Sequence, residues 1–410
     1  MARTQNSRTW LEHAMSYVDM KWPQSSAKHR KSIAEALATV TPVFYSTERG
    51  APSEKMAREA LYGWAFNKGR RDGNEEVPEP LTVVWKWLKE NSIPLRALDT
   101  DTALIRKALD ALSVRINGQT AAPTTIARKR AVFSGVLKYA VEIRQLETHP
   151  LPRVSWKAPK AIEEVDRRSV ANPTQARALL QAVRGVAPDY EAFFGCLYYA
   201  ALRPEEALHL RDRDIVRPIK KGGWGWLHLT GATVTGGQGW TDDGKPTEDR
   251  GLKHRARKAS RPVPAAPALL LLLDAHLKAY GTGPDGRLFV TRRGPGGRYV
   301  PTTGRPFSSN AYGRVWKRAR QKALSEAECA SPLARVPYDL RHAAVSLWLN
   351  GGVPATQVAE WAGHSVNVLM RVYAKCVDGQ EDAARRRIAA ALAAEDTGDG
   401  DDAPKLPGTA

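Results

Sequence analysis

Five side chains suited to phosphate chemistry occur in order along the chain: Arg203, Lys253, Arg341, His364 and Tyr373. A phosphodiester resists attack because its own oxygens repel a nucleophile. Cationic donors aimed at the non-bridging oxygens relieve that repulsion, since charge builds up there in the transition state. Arginine suits this task because its planar fork binds phosphate bidentately and keeps its charge. The two arginines are therefore predicted to clamp a phosphodiester.

The remaining three side chains complete a possible transfer reaction. His364 can add a further donor, and Tyr373 can attack phosphorus to give a covalent phosphotyrosine, which splits the reaction into two reversible steps. A free tyrosine has a pKa of about 10, so nearby cations must help it to lose its proton. A lysine such as Lys253 can protonate the departing sugar oxygen. This chemistry needs no metal, and the sequence predicts neither a metal site nor a cofactor.

The charge balance points to a polyanionic partner. The chain has 410 residues, a formal net charge of +19 and a pI near 9.9. Lysine and arginine clustered on a surface displace counterions from nucleic-acid phosphates, so a balance this basic favours a nucleic-acid ligand. Charge alone does not separate DNA from RNA, and a basic but merely soluble protein is the alternative.

Cysteine usage and hydropathy indicate the compartment. Cys196, Cys329 and Cys376 are far apart and odd in number, which does not support a disulfide framework or a CxxC zinc site. The longest apolar run, Leu269–Leu273, is too short to span a bilayer, and the amino terminus is polar. We therefore expect a cytoplasmic protein without a membrane partner.

Residues 1–150 have apolar residues at helical spacing in successive segments, which predicts a helical domain. The clearest segment is Thr124–Arg144, preceded by Pro123, which suits a helix start. Its cations Arg128, Lys129 and Arg130 are predicted to lie mainly away from the apolar face and to contact DNA. A solvated basic face is the alternative. Whether residues 1–75 extend this domain or form a separate arm-binding unit stays open.

The rest of the chain predicts a linker, a mixed domain and a tail. The stretch His149–Pro173 contains four prolines, several charges and no clear period, so residues 151–172 are predicted to form a linker. Residues 173–394 alternate helical segments with strand-like runs, of which 223–234 and 252–264 resemble two arms of one hairpin. The intervening stretch, 235–251, is rich in glycine and acids and predicts an exposed loop. Residues 395–410 predict a disordered acidic tail. The fold class is therefore mainly α with a small β component.

The motifs around the five residues resemble those of the tyrosine recombinases, in particular the phage-integrase type. The family's first box, G-L-R-x-x-E-L-x-x-L, matches ALRPEEALHL, with Arg203 as its arginine and Glu206 as its acid. The second box, H-x-x-R-H, matches Tyr338 to His342, and the G-H pair matches Gly363 and His364. The tyrosine follows nine residues after His364, which is the family's usual spacing.

This resemblance implies a fold and an activity. It implies a helical core-binding domain joined to a mixed α/β catalytic domain, forming a clamp around the duplex. It implies site-specific recombination through a 3′-phosphotyrosine intermediate, for integration or excision of a phage or other mobile element. The implied partners are double-stranded DNA with specific attachment sites and a homotetramer of the chain. A host DNA-bending protein and an excision factor are further possible partners.

One position of the second box departs from the family pattern, and the position of the family's lysine has two candidates. Tyr338 stands where the second box has histidine, and a phenol is a poorer base at neutral pH than imidazole. The lysine is either Lys253, which fits a longer hairpin tip, or Lys258, which fits a shorter one. Neighbouring Arg255 and Arg257 are predicted to bind the DNA backbone, as is Lys258 if it is not the acid.

Glu206 and His342 are predicted to have supporting roles, and two alternative functions fit the sequence. Glu206 is expected to orient Arg203 rather than to react, and His342 is either a buried support or a phosphate ligand. The stretch Pro354–Ala374 could instead form a helix-turn-helix of a non-catalytic regulator. A type IB topoisomerase, which uses nearly the same chemistry, is the third candidate.

Overall fold

The computed structural model describes residues 8–73, 76–115, 119–159, 164–253, 259–292, 303–373 and 376, with short pieces at 385–386, 388–390 and 392–393. Helices dominate and strands are few and short, as the sequence predicted. The chain forms two compact units. The first comprises residues 1–162 with 234–248, and the second comprises residues 163–233 with 249–410.

The first unit is helical around one apolar core. Its α-helices are α1 (Trp10–Lys21), α2 (Ala27–Val40), α3 (Glu54–Arg58), α4 (Lys68–Arg71), α5 (Glu79–Glu90), α6 (Ala97–Thr100), α7 (Thr102–Ser113) and α8 (Pro123–Glu142). Local signals fix several starts: Thr9 and Glu12 form a capping box before α1, and Pro123 occupies the first turn of α8. A π-helical segment, Glu59–Ala65, follows α3 directly. Phe44 and Phe133 lie at the centre of the core, packed against Trp10.

The prediction of an exposed loop at 235–251 is wrong around Trp240, whereas residues 242–245 and 249–251 are exposed as predicted. The segment forms strand β3 (Ala232–Thr235), a short 3₁₀ turn and strand β4 (Thr247–Arg250), and its tip belongs to the first unit. Trp240 is only 7% exposed and packs in the core of that unit, with its ring 6.0 Å from Trp22 and 5.2 Å from Tyr62. Arg30 donates to the Trp240 carbonyl (2.9 Å) and forms an ion pair with Asp242 (2.8 Å). The prediction failed at Trp240 because the glycines and acids around it are typical of an exposed loop.

The second unit carries the remaining elements. Its helices are α9 (Pro173–Val186), α10 (Glu191–Tyr199), α11 (Pro204–His209), α12 (Pro267–Tyr280), α13 (Ser309–Ala323), α14 (Glu326–Ala330), α15 (Asp339–Asn350), α16 (Ala355–Ala362) and α17 (Val366–Tyr373). Helix α10 is apolar on nearly all sides and is buried among α9, α12 and α15. It therefore anchors both α11, which follows it, and α15.

A small antiparallel sheet supports the site. Strands β1 (Ile215–Val216), β2 (Gly225–Leu229) and β5 (Arg261–Ala265) lie in the order β1-β2-β5. Leu227 pairs with Val263 and Leu229 pairs with Arg261, so the two arms predicted from the sequence do form one antiparallel pair. Because side chains alternate along a strand, Arg261, Val263 and Ala265 all point to the buried side.

Two further properties concern the described residues. None of their helices has the length and apolar character needed to cross a bilayer. The three cysteines are free thiols.

Candidate active site

Four elements of the second unit converge on one cluster of polar side chains. Arg203 immediately precedes α11, Arg341 lies in the first turn of α15, His364 follows α16, and Tyr373 is the last residue of α17. Residues far apart in the chain are thus brought together. The cluster also contains Glu206, Tyr338 and His342.

The backbone before Arg203 is held in an unusual conformation. Ala201 has φ of 49°, in the left-handed region that glycine occupies more readily. Its carbonyl oxygen accepts a hydrogen bond from Nη1 of Arg341. The first box of the motif has glycine at this position, and the positive φ gives the physical reason. Here alanine tolerates the strain, because the surrounding contacts fix the carbonyl for Arg341.

Glu206 is the central anion of the site. Its carboxylate accepts from Nη1 of Arg203 (2.8 Å) and from the Arg203 backbone N–H (2.9 Å). Nη1 of Arg341 lies 3.9 Å from the same carboxylate. Burial alone would raise the pKa of Glu206, but Arg261, Arg341 and Arg203 lower it to about 2. Glu206 is therefore ionised at neutral pH and holds the arginines in place.

Arg261 is a site residue that the sequence reasoning missed. It is 1% exposed, and its guanidinium binds Glu206 bidentately at 3.0 and 2.7 Å. A signal was present, because the strand alternation of RPVPA places an arginine on the buried face, and a buried cation requires an anionic partner. Arg261 follows Lys253 closely in the sequence. Its contact with Glu206 fixes the start of β5 to the cluster.

Gly363 is required by close packing. It adopts φ of 67° as the carboxyl-terminal cap of α16. A Cβ at this position would lie 2.2 Å from Nη1 of Arg261 and 3.2 Å from Nη1 of Arg203. Its carbonyl oxygen accepts from Nη2 of Arg203 at 2.9 Å. The G-H pair of the motif therefore leaves room for two guanidinium groups and positions one of them.

His364 is neutral and has a defined tautomer. Its Nε2 lies 2.8 Å from Nη2 of Arg341. Since a guanidinium only donates, Nε2 must accept, and the ring proton lies on Nδ1. Burial, Arg341, Arg203 and Arg261 lower the pKa of His364 to about 3. In this state His364 offers an N–H donor at Nδ1.

Tyr373 is buried and protonated. It is 1% exposed, and burial raises its pKa although Arg341 and Arg203 act in the opposite direction. The Tyr373 oxygen lies 2.8 Å from Nδ1 of His342. The ring of His364 lies 6.2 Å from the Tyr373 ring, centroid to centroid. The phenol is thus set beside two imidazoles at the edge of the arginine cluster.

Tyr338 faces the cluster from the start of α15. Its ring centroid is 5.9 Å from the guanidinium carbon of Arg341 and 5.1 Å from the ring of His342. Tyr338 is half-buried, whereas the chain at Val336 is exposed. The position that usually carries histidine thus presents a phenol against the arginines.

Of the two lysine candidates, the structure describes only Lys253, which is not part of this cluster. Lys253 is exposed at a turn after Leu252, and in the described part of the chain no hydrogen bond joins it to the cluster. Lys258, Arg255 and Arg257 lie outside the described residues. The choice between Lys253 and Lys258 stays a prediction.

The basic residues of α8 are partly engaged within the first unit. Lys129 is 7% exposed, its Nζ lies 3.1 Å from Oγ1 of Thr39 and 3.6 Å from Glu35, and burial lowers its pKa. The expectation that Lys129 lies on an exposed face is therefore wrong, because this side of α8 packs against α2. Arg128 is exposed and donates to Ser32 and Glu35. Arg130 stacks over Trp156 at 5.9 Å.

The arrangement suits an anionic ligand with a transferable group. Three guanidiniums surround one carboxylate and leave a local excess of about two positive charges beside a phenol. The charge that develops on a phosphodiester in its transition state is of the sign that this excess stabilises. Among the described residues no group of three or more histidine, cysteine or acidic side chains is placed to hold a metal ion.

In fold and in the composition of this cluster, the chain is similar to a class of protein, the tyrosine recombinases and integrases. The tyrosine recombinase XerC of Chlorobaculum parvum (strain DSM 263 / NCIMB 8327) is 25% identical to this chain over 273 residues, which are 61% of this chain and 68% of the relative. The recognition made from the motifs is thereby confirmed.

Solved structures show the same fold. The integrase of the Tn1549 transposon in complex with a circular intermediate DNA aligns with a TM-score of 0.52 at 14% identity, over 79% of this chain and 97% of that one. The same integrase in complex with transposon right end DNA gives a TM-score of 0.51 at 14% identity, over 79% and 97% of the two chains. No protein-family model matches the sequence.

Proposed function

We propose that this protein is a site-specific DNA recombinase that cleaves and rejoins DNA through a 3′-phosphotyrosine formed on Tyr373. The observation that carries the proposal is the convergence of Arg203, Arg341 and His364 on the buried Tyr373. The XerC relative is a tyrosine recombinase, and the Tn1549 integrase is similar in fold and was solved with DNA. Integration or excision of a mobile element is the natural setting for such an activity.

The site residues take complementary roles in this reaction. Arg203 and Arg341, held by Glu206 and Arg261, bind the two non-bridging oxygens of the scissile phosphate. The Nδ1–H of His364 adds a donor to the same group. Tyr373 attacks phosphorus, the bond to the 5′ oxygen breaks, and that oxygen takes a proton from a lysine, for which we favour Lys253. Rejoining is the reverse transfer to a 5′-hydroxyl of the partner strand.

The two units divide the work in this proposal. The second unit carries the chemistry and the first unit, which includes the helices α1 to α8, binds the DNA core site. We propose a tetramer on two DNA sites, because the two duplexes have four strands to cut and each cut uses one Tyr373. A host bending protein and an excision factor are proposed accessory partners, and the cytoplasm is the proposed location.

The activity can be tested before the target sequence is identified. Purified full-length protein is incubated with sheared genomic DNA from its source and denatured with detergent, and protein-linked fragments are captured and sequenced. Wild-type protein should give fragments that end at one shared sequence. Tyr373→Phe, which keeps the ring and its packing, should give none.

The other outcomes separate the competing functions. Covalent fragments without a shared sequence, together with relaxation of supercoiled plasmid, would indicate a type IB topoisomerase. Sequence-specific binding with no covalent fragments would indicate a regulator. Adducts that persist in Tyr373→Phe would show that another residue is the nucleophile.

A further inference from the structure

The hydroxyl of Tyr373 is hydrogen-bonded to an imidazole that the motif does not assign to catalysis. Nδ1 of His342 lies 2.8 Å from this oxygen, and the two rings are 5.6 Å apart. His342 is one residue after Arg341 on α15, so the helix that positions the phosphate clamp also positions this imidazole. The contact spans two helices and places a nitrogen against the atom that would attack phosphorus.

The usual proton acceptor is missing at the neighbouring position. Tyr338 occupies the histidine position of the second box, and its ring lies against Arg341. Unlike histidine, tyrosine has no basic nitrogen to accept a proton. A phenol beside guanidinium groups is a poor base, because it must first lose its own proton. The proton of Tyr373 therefore needs another destination.

From this geometry we propose that His342 is the general base of the reaction, and this inference rests on the proposed function. As the Tyr373 oxygen attacks phosphorus, its O–H bond breaks and an N–H bond forms at Nδ1 of His342. The bond from phosphorus to the 5′ oxygen breaks in the same transfer, and that oxygen takes its proton from the lysine. In the rejoining step the proton returns from Nδ1 to the tyrosine oxygen.

The state of the imidazole fits this role. Burial and the neighbouring Arg341 lower the pKa of His342 to about 4, so the ring is neutral and its Nδ1 can accept. The role requires the tautomer with the proton on Nε2. A scissile phosphate in the cluster brings a negative charge, which raises the basicity of His342 when the proton must move.

The test uses an oligonucleotide duplex built on the sequence identified by covalent capture, nicked so that the cleaved product cannot religate. Single-turnover adduct formation and duplex affinity are measured for wild type, His342→Ala and His342→Gln. His342→Ala should slow adduct formation by about 10²- to 10³-fold with affinity within about twofold. His342→Gln can still hydrogen-bond Tyr373 but cannot take its proton, so it should be equally slow.

Three further measurements separate a base from a structural support. Free imidazole should restore part of the rate of His342→Ala, because it can occupy the vacated space and accept the proton. His276→Gln, at a buried histidine of the same unit that binds the Leu288 carbonyl, should leave the rate unchanged. Thermal unfolding should show that the variants remain folded.

Two results would overturn the proposal while leaving the recombinase function intact. One is adduct formation by His342→Gln at the wild-type rate. The other is a rate loss that imidazole does not relieve, combined with a larger loss in Tyr338→Phe. Failure of the recombinase function itself is distinguished by the absence of any adduct with wild-type protein.

Discussion

At the scale of single residues, the organising feature is one buried carboxylate shared by three arginines. Removing a partner of a buried ion pair typically costs about 3 to 5 kcal/mol, because it leaves a charge without compensation. Glu206 is thus expected to matter for stability as well as for the shape of the site. Its lowered pKa also makes the effect dependent on pH.

The pH dependence has a definite sign. Since the pKa of Glu206 is lowered to about 2 in the folded state, its contribution is present above the unfolded value near 4.5 and is lost as pH falls towards 2. The contribution is on the order of 3 kcal/mol. The unfolding free energy of wild type should fall across this window, and that of Glu206→Gln should fall less and start lower. Denaturant unfolding between about pH 2 and pH 7 checks this.

A matched control is available on the same helix. Glu205→Gln, at a partly exposed position, should change the unfolding free energy by less than about 1 kcal/mol. If Glu206→Gln behaves like this control at neutral pH, the carboxylate does not hold the arginines in the manner described.

The same cluster shows what sequence can predict at this scale. Arg203, Arg341, His364 and Tyr373 were predicted from the order and spacing of their motifs, and the structure brings them together. Arg261 was missed because no motif contained it, and only its side of the strand revealed it. The direct contact between His342 and Tyr373 depends on the relative placement of α15 and α17, which one-dimensional spacing does not contain.

At the scale of elements, helical periodicity predicted the helical character of the first unit, and its clearest segment, Thr124–Arg144, matches α8 to within two residues. The pairing of β2 with β5 was also predicted from two strand-like runs. The ribbon β3–β4 was not, because its glycines and acids are typical of exposed loops while its stability comes from tertiary burial of Trp240. The composition of the segment is that of an exposed loop, but burial of the single side chain of Trp240 determines its position in the fold.

This element gives a stability prediction. Trp240→Ala should destabilise the first unit by about 3 to 5 kcal/mol, the usual cost of emptying a buried aromatic site. Trp224→Ala is the control, because that tryptophan is 62% exposed and should cost less than about 1 kcal/mol. Urea unfolding followed by circular dichroism measures both. Equal losses would show that Trp240 is not part of the core.

At the scale of the whole molecule, charge is distributed unevenly along the chain. The formal charge is +19, although residues 395–410 contain five acids and one lysine. This tail lies outside the described residues. Negative charges on the same chain oppose the attraction of a basic protein to DNA phosphates, so we expect these acids to weaken DNA binding that is independent of sequence.

Removing residues 395–410 should therefore raise affinity for a random-sequence duplex by several-fold at about 50 mM salt, with a smaller effect at about 300 mM because salt screens the charges. Fluorescence anisotropy across this range checks the expectation. A tail of equal length with its five acids changed to amides should behave like the truncated protein. Identical affinity of all three proteins would show that the tail does not act through charge.

Residues 234–248 belong to the first unit although they follow part of the second unit in the sequence, and this order affects folding during synthesis. A domain generally folds as a unit while its chain is being synthesised. Trp240, a core residue of the first unit, is added only after α9, α10, α11 and two strands of the second unit have been made. The core of the first unit is therefore complete only after the ribosome has synthesised the chain past Trp240.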